Sequence, residues 1–144
     1  MEAIVIRGDG FLYDLMTAKK YYRWIPALLV MGATYWFSSQ PSNELPDFGV
    51  LDWLFKKSGH VIEYALLAVA YWYALGWNRN RRQLAWLFAI LYAVTDEFHQ
   101  SFVPGRFPSV WDVLIFDNLG AVIGLWFANR YSNKNDQGTS PDRS

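Results

Sequence analysis

The chain has 144 residues, of which 53% are hydrophobic and 19% aromatic, and only 18% are charged, fewer than the roughly 25% usual in a soluble domain. Thirteen basic residues balance thirteen acidic ones, so the basic excess of a nucleic-acid binder is missing and no nucleic-acid partner is expected. Cysteine is absent, which excludes a disulfide framework, a thiolate metal site and a cysteine nucleophile.

The first residues carry Glu2, Arg7 and Asp9, not the basic start and apolar run of a cleavable signal peptide. Phe11, Leu12, Leu15 and Met16 then recur at helical spacing beside Lys19 and Lys20. That pattern predicts an interfacial helix within a cytoplasmic segment, residues 1–23. No charge occurs between Arg23 and Glu44, and a first membrane span is expected from Trp24 to Ser39, ending at the breaker Gln40-Pro41. A second is expected over residues 60–78, interrupted by His60 and Glu63. A third covers residues 83–102 and a fourth residues 110–129. The third has only 13 residues from Gln83 to Thr95, about 20 Å of helix. Asp96 to Gln100 must therefore continue it into the outer part of the membrane, and the same argument draws Asp112 and Asp117 into the fourth. The fold class expected is an all-α integral membrane protein, a four-helix bundle over residues 24–131, with a polar, disordered tail at 132–144.

The basic residues orient it. Ten of them (Arg7, Lys19, Lys20, Arg23, Arg79, Arg81, Arg82, Arg130, Lys134, Arg143) fall on one side and three (Lys56, Lys57, Arg106) on the other. The positive-inside rule puts both termini in the cytoplasm. Measured from the cytoplasmic arginines, Glu63 lies 16 residues from Arg79, Asp96 14 from Arg82 and Asp117 13 from Arg130, or about 20–24 Å in each case. His60, His99, Gln100 and Asp112 lie about one turn further out, level with Ser38, Ser39 and Gln40. His60, Glu63 and Tyr64 share one helical face, as do Asp96, His99 and Gln100, with Glu97 about 100° round. Asp117 stands over Gly120-x-x-x-Gly124, a spacing that lets helices approach closely, so that face is expected to pack inward. Glu63, Asp96, Glu97, Asp112 and Asp117 oppose only Lys56, Lys57 and Arg106 in the outer half. A divalent cation, a protonated carboxyl or a protonated histidine must offset the excess. Plainer readings exist for single groups: a helix pair for His60 with Glu63, surface charges for Asp96 and Glu97, an interfacial anchor for Lys56-Lys57, a lipid-phosphate contact for Arg106.

SSQP at the end of the first span, K-x-x-H-x-x-E-Y at Lys57 to Tyr64, D-E-x-H-Q-x-F-x-P-G-R at Asp96 to Arg106 and D-x-x-x-x-D-N-x-G at Asp112 to Gly120 together resemble the VanZ-like family over roughly residues 24–128. The resemblance implies a multi-pass protein of the bacterial cytoplasmic membrane, in a family named for an accessory protein of glycopeptide (teicoplanin) resistance. It supplies no reaction.

Three functions fit these residues. One is a binder of a membrane lipid or lipid-linked envelope precursor, with Lys57, Gln100, Arg106, Ser39 and Gln40 holding an anionic headgroup. Another is an intramembrane hydrolase or transferase with His60, Glu63, Asp96, Glu97 and His99 as candidate catalytic groups. In that case Asp96, Glu97, Asp112 and Asp117 would balance charge or hold a divalent metal. The last is a proton-coupled transporter or flippase. Oligomeric state is left open.

Overall fold

Four helices make up the regular structure, with no strand among the described residues, 20–41 and 49–138 of the computed structural model. Helix α1 spans Ile25–Ser38, α2 Val50–Ala74 and α3 Arg82–Gln100. A π-helical stretch, Asp112–Asp117, runs directly into α4, Asn118–Gly138. The interfacial helix expected before residue 23 lies outside the described residues, apart from a helical Lys20–Tyr22.

Local chemistry explains the boundaries. Pro26 sits in the first turn of α1, where its missing N–H would have had no partner anyway. That helix ends as Ser39 N–H closes on Tyr35 O at 3.0 Å, just before Pro41. Past α2 the chain reverses through Gly76 (φ 82°) and Trp77 (φ 57°). Trp77 N–H returns to Trp72 O, and the Asn78 side chain accepts from Asn80 N–H to start the short 3₁₀ turn that leads into α3. Helix α4 continues to Gly138, seven residues into the tail expected to be disordered. Extending an existing helix avoids the nucleation cost that a polar segment could not meet alone.

Helix α2 is central and touches the other three. Its interface with α4 rests on the two glycines. A Cβ at Gly120 would overlap the Val61 backbone, and one at Gly124 the Ala65 backbone. The inward packing expected of this face is therefore observed, and side-chain-free contact lets the two backbones meet.

The core has two halves. Toward the α2–α3 turn it is apolar and built on small residues: Ala85, Ala89 and Ala93 of α3 are fully buried against Leu67, Ala68 and Trp72 of α2. Toward the α3–α4 loop it becomes polar, with Ser38, Asp96, Glu97, Gln100, Asp112 and Asp117 all buried. The outer surface is the reverse. Leu29, Leu66, Leu91, Val122 and Phe127, drawn from all four helices, are exposed.

One helical segment, Asp112–Ser132, is long and apolar enough to cross a membrane. The four spans read from the sequence do not all meet that test. Helix α1 has 14 residues, about 21 Å against a hydrocarbon layer of about 30 Å. Helices α2 and α3, with 25 and 19 residues, reach far enough, but inward-facing groups such as Glu63, Asp96 and Glu97 lower their mean hydropathy.

Candidate functional site

The polar half of the core gathers side chains from every helix. From α2, His60 Nδ1 meets Asp117 Oδ1 at 3.0 Å, and Asp117 is fully buried. One turn earlier, Lys57 pairs with both carboxylate oxygens of Asp112. On an α-helix, residues five apart stand about 140° from one another, so Asp112 and Asp117 should face different ways. The π-helical stretch between them widens the turn and brings both into the core. No signal in the sequence marks that widening.

Helix α3 supplies two carboxylates to separate partners. Asp96 Oδ2 accepts from Ser38 Oγ of α1 and from Gln100 Nε2, each at 2.9 Å. Glu97, expected well round the helix from Asp96, is also buried, and its Oε2 accepts the Ser109 N–H at 2.7 Å. The α3–α4 loop thus folds back over Glu97. Ser109 was not foreseen as a contributor, because a backbone donor leaves no mark in sequence.

His99 lies apart from this group. Ser39 Oγ donates to Tyr35 O at 2.7 Å, so its single proton is used. His99 Nε2, 3.0 Å away, must therefore be the donor in that contact. The imidazole lies against the Tyr35 ring, centroids 4.4 Å apart. Gln40 turns back to Trp36 O.

Arg106 is held by the turn at Pro104-Gly105, where Gly105 takes a φ of 74° that other residues adopt at a cost. Its Nε donates to Gln40 O at 3.1 Å and its Nη2 to Phe37 O at 2.7 Å. The guanidinium so satisfies the open carbonyls at the end of α1.

A cavity of about 520 Å³ opens beside these groups. Lys56, His60, Glu63, Arg106, Ser38 and Gln40 form its polar wall. Trp36, Phe37 and Phe55 form an apolar one. Of the predicted site residues, His60, Glu63, Arg106 and Gln40 line this cavity. Lys57 faces Asp112 instead, and its neighbour Lys56 takes the wall position. Ser39, His99 and Gln100 are bonded nearby.

Charge is incompletely matched. Asp112 has Lys57 and Asp117 has His60, whereas the hydrogen bonds to Asp96 and Glu97 come from neutral donors. Among the described residues, four buried atoms have no hydrogen-bond partner: Asp96 Oδ1, Glu97 Oε1, Asp117 Oδ2 and Tyr64 OH. Each such group costs about 1–3 kcal/mol, more when charged. One donor atom each from His60, Glu97 and Asp112 falls within a 4.8 Å grouping. These three are the described residues best placed to hold a metal, and Asp96 is not among them.

The family model described as VanZ/LLP1 matches residues 13–131, starting some eleven residues before the stretch over which the sequence resembles the family. Neither curated proteins nor solved structures yield a match. With the match running from before α1 into the C-terminal half of α4 and taking in every motif, the chain belongs to the VanZ/LLP1 family.

Proposed function

We propose that the chain is a four-span membrane protein, termini cytoplasmic, whose outer-leaflet end receives the anionic headgroup of a lipid or lipid-linked envelope precursor. The membrane reading rests on the inside-out distribution of polarity. Buried carboxylates behind exposed leucines and aromatics would be costly in water but match a hydrocarbon surround. A short α1 is tolerable where the layer thins locally around it.

The cavity is the observation that carries the binding reading. Its polar wall brings Arg106 and Lys56 to one place, and its apolar wall of Trp36, Phe37 and Phe55 can take the first part of an acyl chain. A phosphate with a hydrophobic tail has that pairing of features. Arg106 keeps donors beyond the two spent on α1, since a guanidinium has five. Purified protein should retain phosphatidylglycerol in preference to phosphatidylcholine, as read by native mass spectrometry. Lys56→Gln should weaken that preference about tenfold, the loss of ~1.4 kcal/mol expected for one charge-assisted contact. Equal retention of both lipids by the unaltered chain would end the reading. A part in teicoplanin tolerance belongs to the same proposal, because an occupant of the outer leaflet can alter access to envelope precursors.

One observation favours a second reading, an intramembrane hydrolase or transferase. His60 lines the cavity while its Nδ1 is oriented by Asp117, the arrangement of a positioned general base. Turnover of a lipid-linked phosphate substrate, lost in His60→Gln with headgroup binding intact, would establish it. A transporter has less support, because Ala85, Ala89, Ala93 and Leu67 leave no polar path through the other half of the core.

A further inference from the structure

We infer that His60, Glu97 and Asp112 form a binding site for a divalent first-row transition ion such as Zn²⁺ or Mn²⁺, with Asp117 as the carboxylate that orients the histidine. The inference stands on the buried side chains and does not depend on what enters the cavity.

Geometry comes first. The three ligands arrive from α2, α3 and the π-helical stretch, and one donor atom of each lies within 4.8 Å of the others. Three donors around a common ion at about 2.1 Å stand ~3.4–3.6 Å apart. Closing the set therefore asks each side chain to move by at most about 1 Å. His60 Nδ1 is already taken by Asp117 Oδ1 at 3.0 Å, which leaves Nε2 with the lone pair that a metal needs. A carboxylate behind the ligating imidazole is a recurrent support in metal sites, because it fixes the tautomer and raises the basicity of the ring.

The second observation is independent of proximity. Glu97 is 8% exposed, its Oε2 is held by Ser109 N–H, and its Oε1 is buried without a hydrogen-bond partner. Loop and helix thus clamp one oxygen of a desolvated carboxylate and leave the other buried without a partner. Asp117 Oδ2 is likewise buried and unmatched.

Charge gives the valence. Glu97, Asp112 and Asp117 carry three negative charges against the single ammonium of Lys57, with His60 neutral as a ligand must be. The surplus of two is what one divalent cation cancels. Lys57 occupies both Asp112 oxygens. A carboxylate has about four lone-pair positions, so Asp112 can serve the ammonium and an ion together. The imidazole donor favours zinc over magnesium and calcium, which prefer an all-oxygen shell, while the two carboxylates also suit manganese.

The full chain, purified in detergent without anionic lipid and stripped with chelator, should take up about one Zn²⁺ or Mn²⁺ per chain on dialysis, counted by elemental analysis. Co²⁺ in the same site should show visible absorption bands, and loading should raise the unfolding midpoint. Glu97→Gln removes a ligand and should abolish stoichiometric uptake. Should that variant fail to elute as a monodisperse species, Asp117→Asn is the second test. It keeps all three ligands and should bind about 10–100-fold more weakly, a graded loss that a merely structural aspartate would not give. Uptake below a tenth of an equivalent by the unaltered chain, or the same affinity in Asp117→Asn, would overturn the site. Neither result bears on the phosphatidylglycerol preference, which is measured without added metal.

Discussion

Replacing Gly124 with alanine adds one methyl group at the point where α4 lies on the backbone of Ala65. The atoms it would meet are the carbonyl oxygen, the Cα and the carbonyl carbon of Ala65, and main-chain atoms cannot rotate aside as a flexible side chain can. The helices must separate locally, and overpacking of this kind costs about 1–3 kcal/mol. Alanine also gains about 1 kcal/mol of helix propensity over glycine, so Gly32→Ala, with nothing within 4 Å of its added Cβ, should be neutral or slightly stabilising. The sign of the difference between these two substitutions is thus fixed by packing alone. Gly120→Ala meets the Val61 backbone, next to His60 and three residues below Asp117. There the same displacement should also open the 3.0 Å His60–Asp117 contact. Thermal unfolding in detergent, followed by loss of the monodisperse peak, reads all three variants. Gly120→Ala and Gly124→Ala melting no lower than Gly32→Ala would refute the close-approach argument.

Absence of cysteine makes topology accessible without background. In intact cells a membrane-impermeant thiol reagent should label Phe107→Cys, and should label Asn80→Cys only after permeabilisation; the opposite pattern would invert the proposed orientation. Lys57→Gln leaves Asp112 without its cation at a mostly buried position, and should cost about 3 kcal/mol, near the low end for breaking a buried pair. A chemical or thermal midpoint within error of the unaltered chain would show that Asp112 finds another partner.

How much of this was readable before any coordinates depends on which rule each residue obeys. His60, Glu63 and Tyr64, and separately Asp96 and Gln100, follow ordinary helical spacing, and their gathering toward one end of the bundle was legible. So was the packing role of Gly120 and Gly124, since small residues four apart have few other uses beneath an acid. Asp112 was misdirected by the same logic, because the sequence reading assumed 3.6 residues per turn where the chain takes a wider one. Glu97 was named as a candidate and its angle on α3 was right, but the returning loop that covers it contributes a backbone N–H, invisible to side-chain patterns. Lys57 was chosen over Lys56 for the headgroup, but adjacent residues on a helix point about 100° apart and packing turns Lys57 to Asp112 and Lys56 to the cavity. Arg106 was expected to serve a ligand, and part of its donor set instead terminates α1 at Phe37 and Gln40.

The widened turn at Asp112–Asp117 carries one residue more than an ordinary helical turn would need. Deleting a single position within it, for example Ile115, would let regular winding resume. Asp112 and Asp117 would then stand four residues apart, about 40° from one another on a regular helix, so both would still face the core, with Gly120 and Gly124 seated on α2. Regular winding with all six residues kept would instead set the two acids about 140° apart, so the wider turn is what lets a chain carrying this extra residue show both acids to the same side.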